Sequence, residues 1–201
     1  MTLIGLTGGI GMGKSTAAGL LRRRGLPVVD TDALARDLVA PGSAALNEIV
    51  AAFGAEMVDS AGALNRPRLA DRVFSDETAR RKLESILHPR IRAAWQEAAA
   101  QWRAERRSAG IVVIPLLFET GAEKELDLSA CVACSMESQR ARLQARGYTS
   151  VQIERRAKAQ WPVRMKMDKC DFVLWAEGEI RVLDAQLGRM LSNLATSPVL
   201  R

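Results

Sequence analysis

The amino-acid sequence predicts an α/β fold in which a five-stranded parallel sheet lies between two layers of helices. Short apolar runs typical of buried strands alternate with segments whose apolar residues recur every three or four positions. Because strands separated by helices are joined by right-handed crossovers, we expect the strands to be parallel. Residues 33–107 have helical periodicity almost throughout, which predicts a helical insertion in the sheet domain.

The first strand and the first helix lie at the start of the chain. An apolar run from Thr2 to Thr7 is followed by glycines, and Ala17, Leu20 and Leu21 then recur at helical spacing. We expect this helix to end at Gly25, because glycine suits the left-handed position after a helix. Three arginines precede it and complement the negative end of the helix dipole.

A second short strand is predicted from Leu26 to Val29, and the polar run Asp30-Thr31-Asp32 ends it. In the insertion that follows, one helix is expected from near Ser75 to the residue before Pro89, because proline disfavours helical backbone in its predecessor. Another helix is expected from Pro89 to Arg107. Its buried stripe is predicted to contain Ile91, Trp95 and Trp102.

Three further strands are predicted in the second half of the chain, at Ile111 to Ile114, Leu128 to Cys134 and Asp171 to Trp175. The first of them is a continuous β-branched run, which is typical of a strand buried on both faces. Cys131 and Cys134 have the spacing of a redox pair, but their place in a strand favours buried thiols instead. With an odd count of three cysteines, we expect reduced thiols.

The helices between and after these strands have recognisable boundaries. Ser135 is expected to cap a helix that runs to Arg146. Thr149 and Gln152 have the spacing of a capping box for a helix through Gln160. The last helix is predicted to pack on the sheet through Ile180, Leu183, Leu187, Met190, Leu191 and Leu194.

The composition is that of an ordinary globular protein with a basic surface. The 201 residues are 48% hydrophobic and 26% charged, with a formal net charge of +6. This charge makes an anionic partner plausible, and phosphorylated small molecules and nucleic acid both qualify. We expect no nucleic-acid partner, because the nine aromatic residues form no RNA-binding signature and no zinc-finger spacing occurs. No apolar run has the length of a membrane span or a signal peptide, so we expect a cytoplasmic protein.

The stretch GLTGGIGMGKST carries the clearest chemical signal. The residues Gly8-x-x-x-x-Gly13-Lys14-Ser15 match the P-loop pattern between a strand and a helix, where backbone amides converge on phosphate oxygens. Lys14 is expected to reach the β- and γ-phosphates of ATP, and the Ser15 hydroxyl to hold Mg²⁺. The Asn-Lys-x-Asp motif of guanine-nucleotide switches is absent, which favours a small kinase. The predicted nucleotide-binding residues of the loop are Gly8, Gly9, Gly11, Met12, Gly13, Lys14, Ser15 and Thr16.

Two carboxylates follow the second strand. Ligands of open α/β sheets gather at the carboxyl ends of the strands, so Asp30 and Asp32 are candidates for orienting an acceptor hydroxyl and supporting the magnesium shell. If the chain stays extended, both point to the same side. The alternative is that one of them caps the next helix.

Basic side chains supply the remaining candidates. Arg142 and Arg146 are four residues apart on one helix, so they share a face and are predicted to close on the triphosphate; the alternative is a solvated basic helix. His88, the only histidine, lies near Arg90 and Arg92, and the group is either a helix boundary or a grip on an anionic substrate.

Several stretches, in this order, resemble one family, the dephospho-CoA kinases. They are IGLTGGIGMGKST, VVDTDALARDLVAPG, FGAEMVDSAGALNRPRLADRVF, LESILHPRIR, IPLLFE and ESQRARLQAR. The resemblance covers nearly the whole chain. It implies ATP-dependent phosphorylation of the ribose 3′-hydroxyl of dephospho-CoA, with ATP and Mg²⁺ as cofactors, by a P-loop kinase core that carries a helical substrate-binding insertion and a helical lid.

The resemblance also implies domains and roles. The core would comprise residues 1–32, 108–138 and 162–201, the insertion 33–107 and the lid 139–161. Asp32, Lys14 and Arg142 would be catalytic. Asp32, His88 and Arg92 would bind the substrate, Arg142 and Arg146 would bind ATP, and Ser15 and Asp30 would support the metal. We expect a monomer.

The chain departs from the family pattern at two places. Trp175 and Ala176 lie at the end of the last strand, where the family commonly has an aspartate and an asparagine, and Ile114 replaces an acid before the Pro-Leu-Leu run. The alternative functions are another small P-loop kinase, acting on a nucleoside, nucleotide or sugar acid, and a nucleotide-gated module that binds nucleic acid.

Overall fold

The structure, a computed structural model, describes residues 1–196, so residues 197–201 of the predicted core lie outside the described part. It divides into two compact units. The first comprises Met1–Asp30 and the chain from Gln101 onwards, and the second is Thr31–Ala100. No helix among the described residues combines the length and the apolar character that a membrane span requires.

The regular elements follow one another in this order: β1 (Thr2–Thr7), α1 (Lys14–Arg23), β2 (Val28–Asp30), α2 (Thr31–Asp37), α3 (Ala44–Phe53), α4 (Arg66–Ser75), α5 (Glu77–Ala104), β3 (Ala109–Val113), β4 (Leu128–Ala133), α6 (Met136–Ala145), α7 (Ser150–Lys158), α8 (Val163–Lys169), β5 (Phe172–Trp175) and α9 (Ile180–Thr196). Short 3₁₀ helices occur at Ala55–Met57 and Ala122–Glu125.

The sheet lies in the first unit. Within residues 1–196 it has five strands in the order β2-β3-β1-β4-β5, and all four strand pairs are parallel. The predicted α/β class with a five-stranded parallel sheet is therefore confirmed. Parallel strands place their carboxyl ends at one edge, so the ends of β1, β3 and β4 lie side by side there.

Helices cover both faces of the sheet. One face packs against α1 and α9 through a continuous apolar cluster that includes Leu6, Leu21, Val132 and Leu187. On the neighbouring position of β4, Ala133 packs with Val163 and Met167 of α8 instead. Because successive side chains of a strand point to opposite faces, α8 covers the other side of the sheet.

The second unit has a small apolar core of its own. Val39, Ala45, Ile49, Met57, Leu69 and Ile86 are buried together in it. Helix ends in this unit are capped as their residue types favour: Ser43 accepts from the amide of Leu46, and Asn65 from that of Arg68.

The predicted helix boundary at Pro89 is wrong, because α5 continues through this residue. A proline in a helix removes one amide donor and weakens the hydrogen bonds of the preceding turn. The guanidinium of Arg90 donates to the carbonyl of Ile86, one turn earlier, at 2.6 Å. This hydrogen bond and the burial of Ile86 and Trp95 favour the continuous helix.

Two further expectations need correction. The chain does not stay extended after Asp30: β2 ends there, and Thr31 and Asp32 begin α2, so the two carboxylates do not follow strand alternation. After Pro162 the chain forms α8, which was not predicted. Pro162 sits at the N-cap of that helix, where a missing amide donor costs nothing.

Candidate functional site

The glycine-rich loop joins the end of β1 to the start of α1 and depends on two glycines. At Gly8, which has φ of 139°, a Cβ atom would lie 2.1 Å from the carbonyl oxygen of Val132. Gly13, with φ of 99°, is the N-cap of α1 and provides no side-chain cap. The first amides of α1 therefore have neither a capping side chain nor an acidic neighbour in the first turn, which favours an anion there.

The ammonium group of Lys14 and the hydroxyl groups of Ser15 and Thr16 belong to the first turn of α1. Lys14 donates from Nζ to the carbonyl oxygens of Gly8 at 2.8 Å and Gly9 at 2.9 Å, which holds its charge against the loop. Ser15 and Thr16 are exposed in the first turn of α1. The loop thus combines amides, a cation and hydroxyls, which are the groups that bind phosphate.

A cavity of about 230 Å³ opens beside this loop. It brings together three parts of the first unit: the loop and α1, α6, and the segment after β5. Its lining residues are Gly11, Gly13, Thr16, Arg142, Arg146, Ala176, Gly178, Glu179, Ile180 and Leu183. Ile180 lines this cavity and is 59% exposed, so the prediction that it packs on the sheet is wrong.

Both arginines predicted to share a face line this cavity. Arg142, in α6, donates from Nη2 to the carbonyl oxygen of Ala176 at 2.6 Å. Arg146 is the C-cap of the same helix and is exposed. The structure therefore brings these two cations to the side of the phosphate loop, and Asp30 is not among the residues that line the cavity.

Glu177 connects the segment after β5 to the start of α6, and the sequence contained no signal for this role. Its carboxylate accepts hydrogen bonds from the Ser138 hydroxyl and from the Ser135 amide at 2.9 Å and hydroxyl at 3.2 Å. The hydrogen bond from Ser138, followed by that from the Ser135 amide, holds the pKa of Glu177 below its usual value. With Arg142 on its other side, this segment is fixed to α6 at two points.

A buried ion pair lies behind the phosphate loop. Lys166 Nζ is 2.8 Å from Glu119 Oε1 and donates to the carbonyl oxygen of Pro115 at 2.6 Å. The same carbonyl accepts from the hydroxyl of Thr7, the last residue of β1. Glu119 also accepts from the amide of Trp161 at 2.8 Å, so the pair joins the ends of β1 and β3 to the segment between α7 and α8.

Sequence reasoning missed this pair. Lys166 is fully buried. One signal was available, since Val163, Lys166 and Met167 recur at helical spacing and face the sheet together. A lysine on an apolar helix face indicates a buried partner, because a buried ammonium without one is costly.

The two departures from the family pattern have different structural consequences. Trp175 is 43% exposed, and its backbone amide and carbonyl are hydrogen-bonded to the side chain of Gln186. The amide of Ala176 donates to the carbonyl oxygen of Ala133 at 2.7 Å, and the carbonyl oxygen of Ala176 accepts from Arg142. Ile114 is buried.

In the second unit, the remaining predicted residues lie on two helices. Asp32 is exposed in the first turn of α2. His88 and Arg92 are partly exposed and four residues apart in α5, so they share one face of that helix. Arg90 instead forms an ion pair with Glu48 at 2.6 Å. One cation of the predicted group of His88, Arg90 and Arg92 therefore has its partner within this unit.

Cys131 and Cys134 are buried, whereas Cys170 is partly buried and its hydrogen bond with Cys131 lowers its pKa. A hydrogen bond with Cys170, and then burial, raises the pKa of Cys131, and burial raises that of Cys134. A raised pKa lowers the thiolate fraction and the reactivity. The interpretation of Cys131 and Cys134 as buried thiols is confirmed, although only Cys131 lies within β4 and Cys134 directly follows it.

Comparisons with known proteins find similar chains of one family. The family model for dephospho-CoA kinase matches residues 2–181. The chain is 46% identical over 195 residues to a dephospho-CoA kinase of Anaeromyxobacter dehalogenans, covering 96% of this chain and 92% of the relative. It is also 46% identical over 193 residues to that of Gloeobacter violaceus, covering 95% and 92%. A crystal structure from Thermus thermophilus superposes with a TM-score of 0.82 at 35% identity, covering 96% of this chain and 97% of the other.

Proposed function

The chain belongs to the dephospho-CoA kinase family, and on that premise we propose that it transfers the γ-phosphate of ATP to the ribose 3′-hydroxyl of dephospho-CoA. The products are CoA and ADP, and the reaction is the last step of CoA synthesis. The observation that carries this proposal is the cavity that joins the phosphate loop to Arg142 and Arg146. Phosphoryl transfer requires mainly positioning and charge stabilisation, and this arrangement supplies both.

The triphosphate is held by the loop between β1 and α1. Its amides and the positive end of α1 bind the phosphate oxygens. Lys14, already held by the carbonyls of Gly8 and Gly9, is the cation nearest to the loop. Arg142 and Arg146 neutralise the charge that spreads over the transferring group, and we assign them to a lid of residues 139–161.

The base of ATP is assigned to the part of the cavity beyond Arg142. Both backbone groups of Ala176 are engaged, with Ala133 and with Arg142. We therefore assign the base to the segment from Gly178 onwards, where Ile180 and Leu183 offer apolar contact. This assignment does not require the asparagine that the family commonly has at the position of Ala176.

Magnesium fits the donor groups at this edge of the sheet. The exposed Ser15 hydroxyl and the Asp30 carboxylate at the end of β2 are hard oxygen ligands, which Mg²⁺ prefers. We propose that Ser15 holds the ion directly and that Asp30 supports its hydration shell. The bound ion would neutralise charge on the β- and γ-phosphates.

The acceptor is assigned to residues of the second unit. Asp32 is proposed to orient the 3′-hydroxyl and to accept its proton, and His88 and Arg92 to contact the anionic part of dephospho-CoA. The support is the resemblance of the stretches that contain them and, for His88 and Arg92, their shared helix face. We propose this unit as the substrate-binding insertion, and a cytoplasmic monomer as the working form.

The experiment is an acceptor panel with the purified full chain and Mg·ATP. Dephospho-CoA, its 3′-deoxy analogue, nucleosides, shikimate and gluconate are compared by acceptor-dependent ADP release, and the phosphorylated position is identified in the product. We expect the highest kcat/KM for dephospho-CoA and none for the 3′-deoxy analogue. A better substrate from another class would replace the acceptor, and ADP release equal to an ATP-only control would reject kinase activity.

A further inference from the structure

Ile10, at the tip of the phosphate loop, is hydrogen-bonded through both of its backbone groups to side chains from distant parts of the chain. Its amide donates to Gln160 Oε1 at 3.2 Å, and its carbonyl accepts from Gln139 Nε2 at 2.7 Å. Neither glutamine lines the cavity beside the loop. The two glutamine side chains are therefore distinct from the side chains proposed to bind ATP.

The two glutamines mark the two ends of the segment that contains α6 and α7. Gln139 lies one turn into α6, and Gln160 follows α7 by two residues. They nearly coincide with the limits of the proposed lid, residues 139–161. One residue of the phosphate loop thus contacts this segment where it leaves the sheet domain and where it returns.

The return end is firmly held. Trp161, next to Gln160, donates its amide to Glu119, and its ring stacks on Phe118 with centroids 6.2 Å apart. Lys169 lies over both rings, 5.8 and 5.9 Å from their centroids. Because its neighbour is fixed in this way, Gln160 presents its carbonyl oxygen to Ile10 from a defined position.

We propose that Gln139 and Gln160 are positioning residues that hold the phosphate loop in its binding conformation and couple it to the α6–α7 segment. The inference rests on the proposed role of this loop in ATP binding. ATP binding at the loop and docking of the α6–α7 segment are then coupled, and such coupling is reciprocal. ATP bound at the loop stabilises the segment, and loosening the segment weakens ATP binding. Neither glutamine contacts a reacting atom.

The two hydrogen bonds have opposite polarity, and this makes the proposal testable. The Ile10 amide can only donate, so residue 160 must accept, whereas the Ile10 carbonyl can only accept, so residue 139 must donate. An ionised glutamate accepts but does not donate. Gln160→Glu therefore keeps its hydrogen bond, while Gln139→Glu loses its bond and sets a carboxylate against a carbonyl.

The experiment compares these two variants in the full chain by the KM and kcat for ATP and by the Kd of Mg·ATP from equilibrium titration. Both variants add the same charge beside the same loop residue, so their difference reports hydrogen-bond polarity. We expect Gln139→Glu to raise the KM and the Kd about tenfold more than Gln160→Glu does, since an unsatisfied polar group commonly costs this much. Gln144→Glu, an exposed change on α6, is the matched charge control.

A second readout follows the segment itself. Trypsin sites at Arg155 and Arg156 lie in α7, and we expect Mg·ATP to slow cleavage there in the parent protein and not in Gln139→Glu.

Equal effects of the two glutamate variants on KM and Kd would overturn the proposal. If Gln139→Glu does not fold, Gln160→Ala must weaken ATP binding and Gln160→Glu must restore it. If the parent protein shows no acceptor-dependent activity, the proposed function is rejected. The Kd of Mg·ATP still tests the coupling in that case.

Discussion

The ammonium group of Lys166, whose side chain is 0% exposed, lies 2.8 Å from Oε1 of Glu119. The other oxygen of this carboxylate, Oε2, is buried and has no hydrogen-bond partner, so the compensating contacts are those of Oε1 with Lys166 and with the amide of Trp161. Since Glu119 also holds Trp161 and Lys166 also holds Pro115, the pair fixes structure on two sides of the phosphate loop.

Lys166→Met should lower the free energy of unfolding by about 3–5 kcal/mol, because it leaves the buried carboxylate of Glu119 without its cation. Urea denaturation measures this change. Arg164→Met, which removes the exposed ion pair with Asp168 on the same helix, should cost at most about 1 kcal/mol. Adding Glu119→Gln to Lys166→Met should recover part of the loss, and no recovery would show that the carboxylate charge is not its cause.

Asp32→Asn should lower kcat about 100-fold or more while leaving the Kd of ATP nearly unchanged, because the amide cannot accept the proton of the acceptor hydroxyl. Steady-state kinetics with dephospho-CoA and ATP titration separate the two quantities. Asp37→Asn, at the exposed end of the same helix, is the control. Normal turnover by Asp32→Asn would remove this carboxylate from the catalytic group.

Arg142→Ala should raise the KM for ATP about tenfold or more and lower kcat, because it removes a cation from the cavity and frees the Ala176 carbonyl. Arg140→Ala removes an exposed arginine from the same helix and should change either constant less than about twofold. Initial rates at varied ATP check both variants. Similar effects of the two would favour a solvated basic helix instead.

Lys14→Ala should abolish nucleotide use, since it removes the charge held at the loop by Gly8 and Gly9. In the parent protein, ATP at 100 times its Kd should stabilise the fold by about 2.7 kcal/mol. Thermal unfolding with and without Mg·ATP measures this shift. The variant should show almost none, and a shift equal to that of the parent would contradict the role of Lys14.

Glu177 should make stability depend on pH in one direction. Hydrogen bonds from Ser138 and Ser135 lower its pKa in the folded state from the ordinary value of 4.5. A carboxylate with a lowered pKa stabilises the fold above that ordinary value, and this contribution is lost as the pH falls through the folded pKa. The difference in thermal midpoint between the parent and Glu177→Gln should therefore be largest near neutral pH and shrink in acid.

The matched control for this pH dependence is Glu137→Gln, an exposed change in the first turn of α6. The difference in thermal midpoint between Glu137→Gln and the parent should vary less with pH than the difference between Glu177→Gln and the parent. If the Glu177→Gln difference instead grows as the pH falls, the assigned sign is wrong.

Local patterns in the sequence were sufficient for the class of fold and for the phosphate loop. The strand runs, the capping box of Thr149 and Gln152 and the cap at Ser135 are confirmed because each depends on residues only a few positions apart. Gly8 and Gly13 were predictable for the same reason, since the conformation and close approach of a P-loop require glycine at fixed spacing.

Only the tertiary structure decided which distant side chains meet. It continued α5 through Pro89, buried Lys166 beside Glu119, bound Glu177 to the start of α6 and joined Gln139 and Gln160 to Ile10. The side-chain contacts join residues about 40 to 150 positions apart. The continuation of α5 through Pro89 depends on how that helix is packed. Local propensity determines the type of an element, whereas burial and the need to satisfy polar groups there determine its partners.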